Sequence, residues 1–168
     1  VNGVVGTLDE NNLLTATITG STTGTLLMSN VARIWDSSGN DIFTGNDNAN
    51  LFVTDYGSDQ IYARDGVDFY EIRRSADLKI HDYQAGEWIS LARMGFDAAN
   101  FANEFSVTHD IVNNYTFLAV DTTSITNENT LTLDGLFNLS TSEMGSRRWN
   151  SDNDELLLQF ENYYVPTT

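Results

Sequence analysis

The 168-residue chain contains no cysteine, so a disulfide framework, thiolate metal sites and a cysteine nucleophile are all excluded. Its one proline, Pro166, leaves no proline-rich linker to divide it. Cations are scarce: seven Arg and one Lys stand against sixteen Asp and eight Glu, for a formal charge of -16. That imbalance opposes nucleic acid and anionic membrane surfaces as partners and suits divalent cations. No apolar stretch approaches the roughly 18 residues of a membrane-crossing helix. The start, VNGVVGTLDENN, has neither the basic segment nor the apolar run of a signal peptide, and without an initiating Met it reads as a piece of a longer protein. With 40% apolar residues the chain is expected to bury one core of its own.

Turn residues are abundant. Twelve glycines and many Asn, Asp, Thr and Ser separate apolar runs of strand length, among them LLTATI, TLLM, NLFV, YTFLAV and LLLQF. None carries a sustained 3.6-residue stripe, so the chain is expected to be mainly β, with a helical turn conceivable only over Ala92 to Asn103.

Residues 36 to 80 divide into units of nine: DSSGNDIFT, GNDNANLFV, TDYGSDQIY, ARDGVDFYE and IRRSADLKI. The sixth place is Asp41, Asn50, Asp59, Asp68 and Asp77. The fourth is small or turn-forming, at Gly39, Asn48, Gly57, Gly66 and Ser75. The eighth is Phe43, Phe52, Ile61 and Tyr70, failing at Lys79, with Ile34 extending the column backward. Asp and Asn are 34 of the 168 residues. Five in succession at a fixed place then has a chance of roughly 0.0003, so the period is no accident.

A six-residue turn and a three-residue strand make half a circuit, and two halves make an 18-residue turn of a flattened parallel solenoid. Residues 18 apart then stack. Asp41, Asp59 and Asp77 would share one edge, Asn50 and Asp68 the other, and Asp59 would have a carboxylate on either side. Oxygen-only ligands between turns select a hard cation, calcium before magnesium. An alternative is that these Asp and Asn side chains serve only their own backbone turns.

These units resemble degenerate copies of the RTX nonapeptide G-G-x-G-x-D-x-U-x, the calcium-binding β-roll repeat of serralysin-type proteases, exported toxins and lipases, and the R-modules of bacterial mannuronan C5-epimerases. RIWDSSGNDIF is similar to the entry segment of such rolls, and LKIHDYQAGEWISLARMGF to the segment that follows them. Together these cover residues 33 to 96. FSVTHDIVNNYTFLAVDTT and NTLTLDGLF look like the capping strands of an epimerase R-module. Of the family's paired glycines only Gly45 is present. The resemblance implies calcium ligands at Asp41, Asp59, Asp68 and Asp77, a weaker one at Asn50, turn carbonyls at Gly39 and Gly57, and extra ligands at Asp47 and Asp65.

Other chemistry is thin. His81 and His109 lie in no HExxH pattern, no G-x-S-x-G is present, and GSTTG at 20 to 24 reads as a turn. Arg64, Arg73, Arg74, Lys79 and Arg93 cluster within thirty residues, and by the resemblance they are candidates to grip an acidic polysaccharide such as alginate, with Trp35, Trp88 and Trp149 stacking on sugar rings. The alternative is that they neutralise neighbouring carboxylates while the Trp side chains close the fold.

The expectation is an all-β, right-handed parallel β-roll, a nonapeptide solenoid with β-rich caps: cap to about residue 30, roll over 31–92, capping strands over 93–168. The resemblance implies a secreted, non-catalytic, calcium-binding accessory module, monomeric within a larger bacterial enzyme acting on alginate or a related uronate polymer and exported by type I secretion. Its rivals are an adhesin module and a carboxylate-dependent polysaccharide lyase or hydrolase.

Overall fold

The computed structural model describes residues 3–18, 25–28, 33–73, 76–92, 103–120, 129–145 and 155–163. Most of the segment expected to hold a helical turn, 93–102, lies outside them, as do Arg74, Arg93 and Trp149. The described chain is mostly β. Its strands are β1 (Val4–Leu8), β2 (Leu14–Ile18), β3 (Thr25–Met28), β4 (Arg33–Trp35), β5 (Ile42–Thr44), β6 (Leu51–Thr54), β7 (Gly57–Tyr62), β8 (Phe69–Arg73), β9 (Ala76–Ile80), β10 (Trp88–Ala92), β11 (Phe105–Asp110), β12 (Tyr115–Val120), β13 (Asn129–Asp134), β14 (Phe137–Gly145) and β15 (Glu155–Asn162).

They form two mixed, largely parallel sheets. The larger runs β11-β12-β13-β9-β7-β5-β1-β2-β3 and the smaller β14-β15-β10-β8-β6-β4. From β4 to β10 successive strands alternate between the sheets, so neighbours within a sheet are two strands apart in sequence. The N-terminal strands belong to the larger sheet: β1 pairs with β5 in parallel and with β2 antiparallel. Antiparallel strands close the far ends, β11-β12-β13 on one sheet and β14-β15 on the other.

Register sets the core. Ile42 pairs with Gln60 and Phe43 with Ile61, 18 residues on, and Ile34 likewise with Phe52 and Phe52 with Tyr70. The inward column of the smaller sheet is therefore Ile34, Phe52, Tyr70, Ile89 and Leu158, each 3% exposed or less. Burying side chains of this size contributes about 1.5–3 kcal/mol each.

The 18-residue register does not hold throughout. Strand β8 still lies 18 residues from β6, but β9 lies 19 from β7, so Asp59 pairs with Leu78 and Ile61 with Ile80. Strand β10 is then 19 from β8, pairing Trp88 with Phe69. One additional residue between β8 and β9 accounts for both shifts. This corrects two expectations. Asp77 stacks on Ser58 rather than Asp59, and the apolar column does not fail at Lys79 but continues at Ile80, which is fully buried.

Gly57 holds φ at +111°, and a Cβ there would lie 2.1 Å from the Gly39 carbonyl oxygen. Gly86 also has positive φ, +95°, but its nearest neighbour would be the Gln159 side chain at 3.9 Å. Alanine at Gly86 therefore carries backbone strain alone, on the order of 1 kcal/mol. Gly57→Ala adds a collision with immobile backbone and is expected to cost about 3 kcal/mol. Denaturant melts in chelator compare the two, and equal losses would contradict this packing.

Candidate metal centre

The sixth-place side chains act first on the backbone. The Asp41 N–H donates to Asp59 Oδ1 at 2.9 Å and the Asn50 N–H to Asp68 Oδ1 at 2.7 Å, each across 18 residues. Val4 N–H donates to Asp41 Oδ1 in the same way, and Asp68 N–H to Glu87 Oε1 at 3.3 Å. These four strand starts thus receive an acceptor from the neighbouring circuit, where a three-residue strand such as β5 is too short to pair that N–H in the ladder.

The second oxygen divides these residues into two kinds. Asp41 Oδ2 accepts the Ser37 N–H at 2.8 Å, and Asn50 Oδ1 also accepts the Asn46 N–H at 3.0 Å, four residues back in each case. In the next two turns another carboxylate has taken that donor. Asp55 N–H goes to Asp36 Oδ2 at 2.8 Å, while Ala63 and Arg64 N–H go to the two oxygens of Asp82, also at 2.8 Å. Asp59 Oδ2 and Asp68 Oδ2 are left buried with no N–H or hydroxyl donor among the described residues, on residues 2% and 1% exposed.

Around Asp59 this spare oxygen has company. Carboxylate oxygens of Asp36, Asp41 and Asp59 lie within 4.8 Å of one another, and Asp36 Oδ1 is likewise buried without an N–H or hydroxyl donor among the described residues. Burial, the Asp59 and Asp41 charges push the Asp36 carboxyl up to about 8, against the Asp55 N–H that favours its ion. Asp59 is pushed up to about 7, chiefly by burial and then by Asp41. Three carboxylates that repel one another, two with unfilled oxygens, fit a divalent cation of irregular oxygen coordination. Gly39 is buried here, its carbonyl oxygen packed over Gly57.

On the opposite edge Asp68 meets Glu87. Burial and the Glu87 charge push Asp68 up to about 8, and burial raises Glu87 as well. Glu87 accepts from Tyr70 Oη at 3.1 Å and Gln84 N–H at 2.9 Å, so it is the better-solvated ion, and the proton resides on Asp68.

The remaining expected ligands are dispersed. Asp47 and Asp65 are exposed on turns, Asp65 accepting from Gln84 Nε2 at 3.2 Å. Asn50 is buried and neutral, bonded through Nδ2 to Asn46. Exposed Asp77 accepts from the Thr130 N–H at 3.2 Å and its hydroxyl at 2.9 Å, tying β9 to β13. The expected basic grip is dispersed too. Arg64 pairs with Glu10 at 3.2 Å on a turn, Lys79 with Asp134 at 3.1 Å on the larger sheet, and Arg73 with Glu71 on the smaller.

Two residues of these acidic groups escape a reading of the five units. Asp36 occupies a first place, where the repeat has glycine. Glu87 becomes visible once one inserted residue is allowed, since the nine-residue step then runs Leu78, Glu87 at the sixth place and Ile80, Ile89 at the eighth. Comparison with models of protein families and with curated proteins finds no match to this chain.

A carboxyl whose folded pKa is raised keeps a proton that the unfolded chain has released. Its contribution is complete below the ordinary value of 3.8 and is lost as pH rises through about 7 for Asp59 and about 8 for Asp36 and Asp68. In chelator the protein is therefore expected to melt at a higher temperature at pH 5 than at pH 8, and Asp68→Asn to flatten that slope in part. A melting temperature that rises with pH, or an unaltered slope in the variant, would contradict the assignment.

Proposed function

We propose that this chain is a right-handed parallel β-roll of RTX type, serving as a non-catalytic calcium-binding accessory module of an exported bacterial enzyme that acts on alginate or a related uronate polymer. The observation that carries the calcium reading is the convergence of Asp36, Asp41 and Asp59, with two buried oxygens that no N–H or hydroxyl among the described residues satisfies. Alternation of short strands between two sheets at an 18-residue register supports the roll. Asp36, Asp41 and Asp59 would hold the ion. It would supply the charge that the site lacks, without chemistry of its own.

Two features support a module that assists rather than catalyses. The carboxylates of the cluster are also backbone acceptors, so their positions serve the fold. His81 lies outside the acidic cluster, its ring nitrogens bonded to Gln60 and Asp134.

Calcium is expected to raise the melting temperature, because it binds the folded state alone; at a hundredfold excess over Kd the gain is about 2.7 kcal/mol. Asp59→Asn should remove most of the calcium-induced shift and Asp77→Ala should leave it intact. Differential scanning calorimetry in chelator, millimolar calcium and millimolar magnesium makes the comparison. An unchanged melt on adding calcium would overturn the metal reading in favour of a roll held by hydrogen bonds and shared protons alone.

A further inference from the structure

On the outward side of the smaller sheet, Trp35 is 54% exposed at the edge strand β4. Two guanidinium groups lie over its ring, that of Arg33 with Cζ 4.9 Å from the centroid and that of Arg73 at 4.5 Å. Glu71, 8% exposed, pairs with both arginines. Its bonds are unequal: Arg73 donates to it through Nε as well as forming the ion pair, whereas Arg33 Nη2 stands 3.6 Å away, beyond hydrogen-bond reach. Arg33 Nε is buried with no partner among the described residues.

Two cations on one carboxylate leave a surplus positive charge in a chain of net charge -16. The surplus belongs to Arg33, since Arg73 is committed to Glu71 and its side chain is only 12% exposed. The Arg33 side chain, 33% exposed, borders an indole that is itself half exposed, and together they ask for a ligand that offers a carboxylate and a flat apolar surface. A sugar acid does so within one rigid ring: its carboxylate meets the fork, and its C–H face lies on the indole. An acidic peptide side chain brings the carboxylate without the face.

From this we infer that Arg33 and Trp35, braced by Arg73 and Glu71, form a binding site for a carboxylated sugar unit of a polysaccharide. The inference rests on the reading of the chain as a module serving uronate-polymer chemistry, and it locates the contact at residues other than the basic run that the sequence singles out. Arg33 and Trp35 touch the ligand; Arg73 and Glu71 position them.

The test uses the full chain in calcium, titrated calorimetrically with oligouronates, a neutral hexose oligomer of equal length and a short poly-glutamate peptide. Oligouronate should bind, bind more weakly as salt rises, and shield tryptophan fluorescence from acrylamide. Arg33→Gln should weaken binding about tenfold and Trp35→Ala at least as much, while Arg64→Gln leaves it unchanged. A preserved calcium-induced melting shift shows that each variant is folded, and the acrylamide shielding of the unmutated chain tests the site without any variant. No binding of oligouronate by the unmutated chain would overturn this site and the polymer reading together. Binding that survives both substitutions, or that leaves the tryptophans unshielded, would overturn the site alone. Equal binding of poly-glutamate or of the neutral oligomer would overturn the sugar-acid class.

Discussion

At β1 and β5 of the larger sheet the strand start carries an N–H that a buried side-chain oxygen one circuit away accepts. The same device operates on the smaller sheet at Asn50 and Asp68. Leaving such a donor unmade inside the protein costs about 1–3 kcal/mol, so the acceptor is not optional. Placing Asp there makes backbone satisfaction and charge burial the same event. Whatever the protein gains in hydrogen bonding it must offset with a counter-charge, a proton or a neutral Asn.

The neutral Asn and the proton both occur in this one chain, beside a third position where carboxylates gather. At Asn50 the charge is absent, and its amide also bonds Asn46 within the turn. At Asp68 burial and the Glu87 charge push the carboxyl up to about 8, so that it holds its proton beside the Glu87 ion. At Asp59 the carboxyl sits among two others, and repulsion within the group is the price of three ordered turns. The difference arises one turn away: where the N–H four residues before the sixth place is captured by Asp36 or Asp82, the sixth-place Asp keeps an oxygen to spare. Electrostatic character along the repeat is set by which residue takes one amide proton.

The period was legible because it is written in side-chain chemistry that recurs every nine residues, and it placed Phe43, Ile61, Phe52 and Tyr70 in the columns they occupy. A fixed step reads one residue short after a single insertion, which put Asp77 in the place held by Leu78 and hid Glu87. Arg33 and Asp36 lay before or at the start of the counted units, and their partners, Glu71 and the Asp55 N–H, are 38 and 19 residues away. Such contacts follow from register, which period alone does not fix to the residue. The basic side chains illustrate the same limit: closeness in sequence between Arg64, Arg73 and Lys79 becomes separation onto a turn and two different sheets.

Where Leu78 replaces the acid, strand pairing takes over. Strand β7 runs six residues from Gly57, against three for β5, and Gly57, Ser58 and Asp59 lie opposite Ala76, Asp77 and Leu78 of β9. At this end the sixth place takes no part in accepting N–H groups, and the acid beside it, Asp77, accepts the Thr130 N–H of β13 from an exposed position. The larger sheet is therefore asymmetric along its stacking direction: the acids that accept strand-start N–H groups are buried at β1 and β5 and exposed at β13. In this sheet the burden of buried charge therefore falls on the circuits from β1 to β7, and a change in pH acts there rather than evenly along the stack.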